Sequence, residues 1–293
     1  MFGRWISLML ALAVAVGAAE GQNGLKISEL LYQPRSGEAE YVELYNDSEA
    51  AVDLADYHIV RVLHDTLATH YPLPSYIVEP RGYVVLTKDV ASVINCYSIQ
   101  FPPPVAVECN LPTYPNDGGS VVLATADGTV VEWFRYTPSM HSPMLHNAAG
   151  VALERRSFSR DLNEKSNWFS ASSLSGYGTP GYENSQSTEW LVPETAFDFS
   201  SELVSPDGDG YQDVLEVEYR MERSDLMADV AVYDAGGRRV TRLLDAALLG
   251  SHGRLEWDAR GVPQGRYLVQ IVVYDRGGTR QTVRRTVAVV AAR

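Results

Sequence analysis

Alternation of apolar and polar residues at a period of two is the feature that most limits what this chain can fold into. Residues 213–221 alternate aliphatic and charged side chains, and residues 40–45 place Val42 and Leu44 on one face and polar or aromatic residues on the other. Successive side chains of a strand point to opposite faces, so such segments predict strands with one buried and one solvated face. One-sided strands of this kind are typical of antiparallel sheets.

Strand-like periodicity recurs along most of the chain, which predicts an all-β fold. The further strand-like segments are 25–32, 57–63, 82–88, 119–125, 129–136, 151–157, 228–234, 238–244 and 266–274. Only residues 89–94 and 242–249 have the composition of a short helical turn. Asp127-Gly128 lies between two apolar segments and predicts a tight hairpin.

Two near-copies of a second turn, at 233–237 and 274–278, predict two further hairpins. Residues 172–193 are rich in Ser, Gly, Thr and Pro, a composition that favours an irregular loop or linker. With 293 residues and ~100–200 residues in a typical domain, two folded units are expected. We predict one domain over 20–187 and a second over 188–293.

The first 19 residues have the layout of a cleaved secretory signal peptide. Arg4 precedes an apolar segment, residues 5–16, and small residues follow at 17–19. A membrane anchor is the alternative, but a spanning helix needs ~20 apolar residues and this segment is shorter. We therefore expect a mature chain without a transmembrane segment, located in the periplasm, on the outer-membrane surface or outside the cell.

The chain contains two cysteines, Cys96 and Cys109, separated by a Pro-rich segment at 101–104. In an oxidising compartment a close pair usually forms a disulfide, so we predict a bond between them. Two buried free thiols are the alternative.

The formal net charge is −13, and most of it belongs to the first predicted domain. Residues 20–193 contain 21 acidic and 10 basic side chains, whereas residues 194–293 contain 16 and 13. An excess of acid repels phosphate backbones, so nucleic acid is not an expected partner.

The most distinctive local motif is DGDGYQD at 207–213. Asp207, Asp209 and Asp213 could supply oxygen ligands to Ca²⁺, which is the one cofactor the sequence suggests. The twelve-residue EF-hand pattern is not met, because Tyr211 occupies the fifth position. An Asp/Gly-rich turn, in which the carboxylates accept backbone N–H groups, is the alternative interpretation.

Signatures of common enzymes are absent from the sequence. There is no GxSxG, P-loop, GxGxxG, HExxH or CxxC motif. Among six scattered histidines, His64 and His70 could converge from neighbouring segments. Glu40 and Glu43 would point to opposite faces of one strand and could form a pair only with help from other strands. Arg155, Arg156 and Arg160 form a basic spot, either a docking patch for an acidic partner or a set of ion pairs with nearby carboxylates.

Six segments of the first predicted domain resemble, in order and spacing, the lamin tail domain of secreted bacterial proteins. They are KISEL at 26–30, EYVELYN at 40–46, DLADYHI at 53–59, LERR at 153–156, NWF at 167–169 and GTPGYEN at 178–184. The resemblance implies an immunoglobulin-like β-sandwich with no common catalytic residues, serving as a binding or scaffolding module. Residues 87–118 look like an insertion.

The second predicted domain resembles the immunoglobulin-like domain of flagellar hook-capping proteins (FlgD type) and C-terminal modules of Bacteroidota surface and gliding proteins. The matching segments are FSSELVSPDGDGYQD at 199–213, VAVYDAGGRRV at 230–240 and GRLEWDARGVPQGRY at 253–267. Ala259 stands where that family usually has Gly, and the loop is short, which makes the domain more similar to sorting modules of type IX secretion.

The sequence therefore predicts two immunoglobulin-like β-sandwiches after a signal peptide. We expect a non-enzymatic secreted or cell-envelope protein acting in adhesion, scaffolding or surface assembly through a protein or polysaccharide partner. The second domain would serve export or surface attachment. An accessory binding module for a secreted hydrolase is the alternative, followed by a weak hydrolase.

Overall fold

The computed structural model describes residues 24–63, 65–97, 106–188, 196–223 and 225–290. The predicted signal peptide, residues 1–19, and His64 lie outside the described residues. The first set of strands comprises β1 (Leu25–Leu31), β2 (Tyr41–Asn46), β3 (Val52–Asp53), β4 (Tyr57–Leu63), β5 (Thr66–Pro72), β6 (Ile77–Val78), β7 (Tyr83–Thr87), β8 (Ala106–Glu108), β9 (Gly119–Thr125), β10 (Val130–Tyr136), β11 (Leu153–Arg155) and β12 (Trp168–Ser170).

These strands form two main sheets that pack into one sandwich, called here the N-terminal sandwich. The six-stranded sheet has the order β12-β11-β1-β2-β7-β8, and the four-stranded sheet has the order β10-β9-β4-β5. Side chains from both sheets, such as Ile27 and Leu44 from one and Ile59 and Leu123 from the other, share one buried cluster. The short strands β3 and β6 pair separately.

The second set of strands comprises β13 (Ala196–Phe199), β14 (Leu203–Val204), β15 (Val214–Arg220), β16 (Met227–Asp234), β17 (Arg239–Leu248), β18 (His252–Asp258), β19 (Gly265–Tyr274) and β20 (Arg280–Val289). They form a sheet of order β13-β15-β18 and a sheet of order β14-β20-β19-β16-β17. Leu215 and Trp257 from the first and Val269 from the second meet in a separate core, which defines the C-terminal sandwich.

The predicted all-β, immunoglobulin-like sandwich class is confirmed, and each predicted strand segment overlaps an observed strand. The helix α1 (Val90–Cys96) begins at Asp89, whose carboxylate accepts the Ser92 N–H, as expected for residues 89–94. The prediction of a helical turn at 242–249 is wrong, because these residues lie almost entirely in β17, which pairs with β16. The domain boundary at 187/188 remains a prediction.

The three predicted hairpins are present. The turn at Gly128 has a φ of 92°, and Gly237 and Gly278 have φ values of 78° and 84° in the two near-copies. Each backbone conformation is left-handed, which glycine adopts without steric cost. The β16–β17 and β19–β20 hairpins therefore share their turn chemistry: in both, an Asp carboxylate caps the turn by accepting a backbone N–H, from Arg238 or from Thr279.

Of two expectations about exposure, one is confirmed and the other is wrong. In β15 the alternation gives one buried and one solvated face, as predicted. In β2, however, Tyr41 and Glu43 are as completely buried as Val42 and Leu44. The second face is covered by α1 and by residues 171–186, the N-terminal part of the segment that composition assigned to a loop or linker.

Candidate functional site

Three glutamates lie side by side on the outer face of the six-stranded sheet, and we call them the carboxyl row. In the strand register Glu29 of β1 is opposite Glu43 of β2 on one side and Glu154 of β11 on the other. Directly opposed residues of antiparallel strands have Cβ atoms ~4.5–5.5 Å apart. All three side chains have no exposed surface. Three carboxyl groups are thus held together in a region without water.

Residues 179–186, the closing segment, cross the carboxyl row and supply most of its hydrogen-bond donors. The Thr179 N–H donates to both oxygens of Glu29 at 3.1 and 3.2 Å, and the Gly181 N–H donates to Glu43 at 2.5 Å. The Ser185 hydroxyl and the Gln186 N–H both donate to one Glu154 oxygen at 2.8 Å.

Two hydroxyl groups complete the arrangement, one from the sheet and one from the closing segment. The Tyr41 hydroxyl donates to Glu29 at 2.7 Å. The Thr179 hydroxyl lies 3.1 Å from a Glu29 oxygen and 2.8 Å from a Glu154 oxygen. A hydroxyl carries one hydrogen, so it can donate to one of these oxygens only. The other contact is a hydrogen bond only if that carboxyl group carries a proton and donates it to the Thr179 oxygen.

The electrostatics agree with a retained proton. Burial is the main cause that raises the pKa of Glu29 to about 8, and the neighbouring Glu154 carboxylate adds to it. Burial likewise raises the pKa of Glu154 to about 7, against the lowering effect of its hydrogen bonds to Ser185 and Thr179. The pKa of Glu43 lies well above the ordinary range, because it is buried and because Glu29 is adjacent.

The carboxyl row is sealed, and its oxygens are occupied by the protein's own donors. One Glu43 oxygen is the exception, since it is buried without a hydrogen-bond partner among the described residues. Groups with strongly raised pKa values are often catalytic, but a catalytic group must reach a substrate. A side chain with no exposed surface under the closing segment instead fixes that segment to the sheet.

The closing segment also carries the contact with the C-terminal sandwich. The Ser251 N–H donates to the Ser185 carbonyl at 2.8 Å, and the Ser251 hydroxyl donates to the Ser187 carbonyl at 2.5 Å. The Gln186 amide donates to the Leu249 carbonyl at 3.2 Å. Gln186 and Ser251 are completely buried, so this junction excludes water.

Small residues before the closing segment extend the junction. The hydroxyls of Ser172 and Ser173 donate to the Leu248 carbonyl at 3.0 and 2.9 Å. Leu174 packs against the core of the C-terminal sandwich. The Ser-rich composition that favoured a linker therefore belongs to a packed contact over residues 172–187.

A cleft of about 760 Å³ opens beside the junction. Tyr97, Pro180 and Tyr182 line it from the N-terminal sandwich, and Arg254 and Glu256 line it from β18. The Tyr97 hydroxyl is buried there, next to the Tyr41 ring.

A second cleft, of about 940 Å³, also has walls from both sandwiches. Arg156 and Lys165 line it on one side and Arg276 on the other. Within the described residues none of these three cations lies within 4.0 Å of a carboxylate, and the Arg156 Nε–H is buried without an acceptor.

The other two members of the predicted basic spot are paired. Arg155 is buried and forms an ion pair with Glu132 at 2.9 Å. Arg160 forms an ion pair with Glu164. The interpretation as ion pairs is therefore correct for these two residues, and only Arg156 is available to a partner.

The structure brings Asp207, Asp209 and Asp213 together in an exposed loop, with one carboxylate oxygen of each within 4.8 Å of the others. Asp213 accepts the N–H groups of Gly208 and Gly210 at 2.6 and 2.8 Å. Asp209 accepts the Tyr211 N–H at 2.7 Å. These bonds are those of the Asp/Gly turn considered as the alternative to a calcium site.

The predicted disulfide between Cys96 and Cys109 is not present, and both cysteines are free. Cys96 packs with the cluster on the outer face of the six-stranded sheet, beside Tyr97. Cys109 packs with the core between the two sheets. The two side chains therefore belong to clusters on opposite faces of that sheet. Burial raises the pKa of Cys109 to about 11, so it is a protonated thiol.

The two-sheet packing defines an immunoglobulin-like β-sandwich protein. Comparison with known families supports this fold class for the first part of the chain. Residues 18–138 match the family model of the Lamin Tail Domain. The match covers less than half of the chain and ends before Glu154 and the closing segment. No curated protein matches the chain. Within the described residues, no helix is long and apolar enough to cross a membrane.

Solved structures give only weak similarities. CopC from Methylosinus trichosporium OB3b is 14% identical over 34% of this chain and 97% of its own, with a TM-score of 0.24. Dimeric latent PorU from Porphyromonas gingivalis is 12% identical over 92% of this chain and 20% of its own, with a TM-score of 0.26. PorZ from the same organism, a surface component of the type-IX secretion system, is 12% identical over 92% and 38%, with a TM-score of 0.23. The chain thus spans well under half of PorU and PorZ.

The carboxyl row predicts an unusual dependence of stability on pH. A carboxyl whose pKa is raised in the folded state binds more protons folded than unfolded, so the free energy of unfolding falls as pH rises through that range. His141, with a pKa lowered from 6.5 to about 4, acts in the opposite direction only below its unfolded value of 6.5. The free energy of unfolding should therefore fall between pH 6.5 and about 8, where Glu29 and Glu154 titrate.

The substitution Glu154→Gln should reduce that fall, since it removes one titrating group while the amide oxygen can still accept from Ser185 and Gln186. The measurement is urea unfolding at a series of pH values. Glu79→Gln is the control, because Glu79 is exposed and its substitution should leave the slope unchanged. An equal slope in wild type and Glu154→Gln would contradict the role assigned to the row.

The junction predicts a strong effect at Gly250. A Cβ atom there would lie 2.4 Å from the Ser185 carbonyl oxygen, which is backbone and cannot turn aside. Gly250→Ala should cost about 1–3 kcal/mol, typical of overpacking, and should separate the thermal transitions of the two sandwiches in calorimetry. Gly265→Ala is the control, because its Cβ would meet nothing closer than 3.7 Å. A Gly250→Ala profile like that of the control would show that the junction does not couple the sandwiches.

Proposed function

We propose that this protein is a non-enzymatic module of the cell envelope or cell surface, which binds a protein or polysaccharide partner in adhesion, scaffolding or assembly. The observation that carries the proposal is the water-excluding junction between the sandwiches, fixed on the carboxyl row. A buried junction of this kind holds two sandwiches in one orientation. A fixed orientation is useful to a scaffold, which must present two surfaces at a defined separation.

The use of the carboxyl groups supports a structural role over a catalytic one. The three glutamates with raised pKa values are hydrogen-bonded to the protein's own groups and have no exposed surface. The match of residues 18–138 to the Lamin Tail Domain adds support, since the resemblance implies a binding or scaffolding module.

The two clefts beside the junction are the surfaces to which we assign partner binding. Tyr182, which is half-buried at the smaller cleft, can pack against a sugar ring or a peptide side chain. Arg156, Lys165 and Arg276 in the larger cleft favour an acidic group. Both clefts need both sandwiches, so separating the sandwiches should weaken partner binding.

We further propose that the chain is exported and that the C-terminal sandwich serves export or attachment to the surface. The N-terminal sequence supports export, and the resemblance of residues 196–290 to sorting modules supports the second role.

Deletion of residues 194–293 should then mislocalise the protein, as measured by cell fractionation and surface proteolysis. Gly250→Ala is the matched control, because it retains the C-terminal sandwich and perturbs only the junction. Circular dichroism of the truncated chain checks that its β-structure persists. A folded, truncated chain that reaches the same location as wild type would contradict the export role.

The Asp207–Asp209–Asp213 loop supports a separate proposal, that it holds Ca²⁺ when the ion is abundant. Three carboxylates within 4.8 Å concentrate negative charge in an exposed loop. Their bonds to backbone N–H groups leave other lone pairs of each carboxylate available.

Calorimetric titration with Ca²⁺ should show binding that Asp213→Asn abolishes. Asp234→Asn is the control, because Asp234 is also a carboxylate that caps a turn through backbone N–H groups but has no acidic cluster. Absence of both heat and thermal shift with wild type would leave only the turn interpretation.

A further inference from the structure

Two histidines meet on the outer face of the four-stranded sheet, away from the carboxyl row and the junction. His58 of β4 is opposite Pro72 of β5, and His70 of β5 is opposite Val60 of β4. The two histidines are therefore diagonal neighbours on the same face, a position from which long side chains can touch.

The two rings approach through their nitrogens. The Nδ1 atoms of His58 and His70 are 3.4 Å apart, and the ring planes are inclined by 78°. That distance is long for a direct N–H hydrogen bond, which is normally ~2.7–3.2 Å between heavy atoms. If neither Nδ1 carries a hydrogen, two lone pairs face each other without a positive group between them.

The separation suits a shared metal ion. Imidazole nitrogens bind Zn²⁺ at ~2.0–2.1 Å, and in tetrahedral geometry two such nitrogens lie roughly 3.3–3.4 Å apart. The observed Nδ1–Nδ1 distance equals this value within its range. The χ2 torsion of histidine is broad, so the two rings are free to reorient when an ion binds.

The surroundings hold the rings in place. Val60 and Ala124 lie on the same face, next to the histidines, and have no exposed surface. The strand β4 is hydrogen-bonded on both sides, to β5 and to β9, so the backbone of His58 is fixed. Ligands held by an apolar floor on rigid strands are preorganised, which reduces the entropy lost on binding.

We propose that His58 and His70 form a surface site for a divalent transition-metal ion, which they bind through their Nδ1 atoms. Imidazole is a borderline ligand that suits Zn²⁺, Cu²⁺ and Ni²⁺ and not the hard ion Ca²⁺. Two protein ligands leave further coordination positions for water or for a side chain of a partner. The net negative charge of the chain, −13, attracts cations to its surface.

Calorimetric titration of the full chain with Zn²⁺ tests the site. His58→Ala and His70→Ala should each weaken binding at least about 10-fold, since loss of even an outer-shell partner of a metal ligand costs on the order of 10–100-fold. His146→Ala is the matched control, an exposed histidine of the same sandwich whose loss should leave Zn²⁺ affinity unchanged.

A spectroscopic probe distinguishes this site from adventitious binding to carboxylates. Electron paramagnetic resonance of the Cu²⁺-loaded chain should show couplings to two nitrogens, of which His58→Ala or His70→Ala removes one and Asp213→Asn removes none. Thermal unfolding without metal should be the same for wild type and the alanine variants, which shows that they fold. No Zn²⁺ binding by wild type, or equal binding by wild type and both alanine variants, would overturn the proposal and leave only a direct contact between the two rings.

Discussion

The burial of three adjacent carboxyl groups is the constraint on which the rest of the structure depends. Removing an isolated carboxylate from water is costly unless it is paired, hydrogen-bonded or protonated. Glu29, Glu43 and Glu154 have no cationic partner among their hydrogen-bond donors, so hydrogen bonds and retained protons must compensate for the lost hydration. Most of those donors belong to residues 179–186, which are therefore fixed to the sheet. The carbonyls of Ser185 and of the adjacent Ser187 accept hydrogen bonds from Ser251. The carboxyl row therefore indirectly determines where the C-terminal sandwich attaches.

Retained protons also make the actual net charge less negative than the formal net charge. The formal value of −13 counts every Glu as ionised, whereas burial keeps protons on the row near neutral pH. The field outside the protein is therefore less negative than the sequence indicates, and it comes from the exposed acids. Those acids include the Asp207–Asp213 loop, which lies on the sandwich that is nearly neutral overall.

Periodicity predicted the strands because it concerns one strand at a time, and it failed where the chemistry depends on register between strands. The alternation in β15 correctly separates its core face, with Leu215 and Val217, from its charged face. The carboxyl row exists only because β11, β1 and β2 align Glu154, Glu29 and Glu43, and nothing in one strand indicates that alignment. A signal was present nonetheless: each of the three strands contains a Glu, and all three belong to the segments that resemble the lamin tail domain.

Spacing along the chain was a poor guide for the same reason. Cys96 and Cys109 are close in sequence, but they contribute to clusters on opposite faces of the sheet. His58 and His70 are twelve positions apart and meet because the register of β4 and β5 places them on one face. Pairs of this kind can be predicted only once the sheet order is known.

Composition correctly favoured an irregular loop at the junction but did not show that it is packed, because small residues serve two physical purposes. Ser and Gly are frequent in flexible linkers, but they are also required where two backbones approach closely. A Cβ at Gly178 would lie 2.4 Å from the Tyr97 ring, and a Cβ at Gly250 would lie equally close to the Ser185 carbonyl. Many hydrogen bonds of the junction have a backbone carbonyl as the acceptor. Every residue carries such a carbonyl, so no pattern of side chains in the sequence identifies these acceptors. The segment from 172 to 187 is therefore an irregular loop, as its composition favours, and its small residues allow it to pack between the two sandwiches.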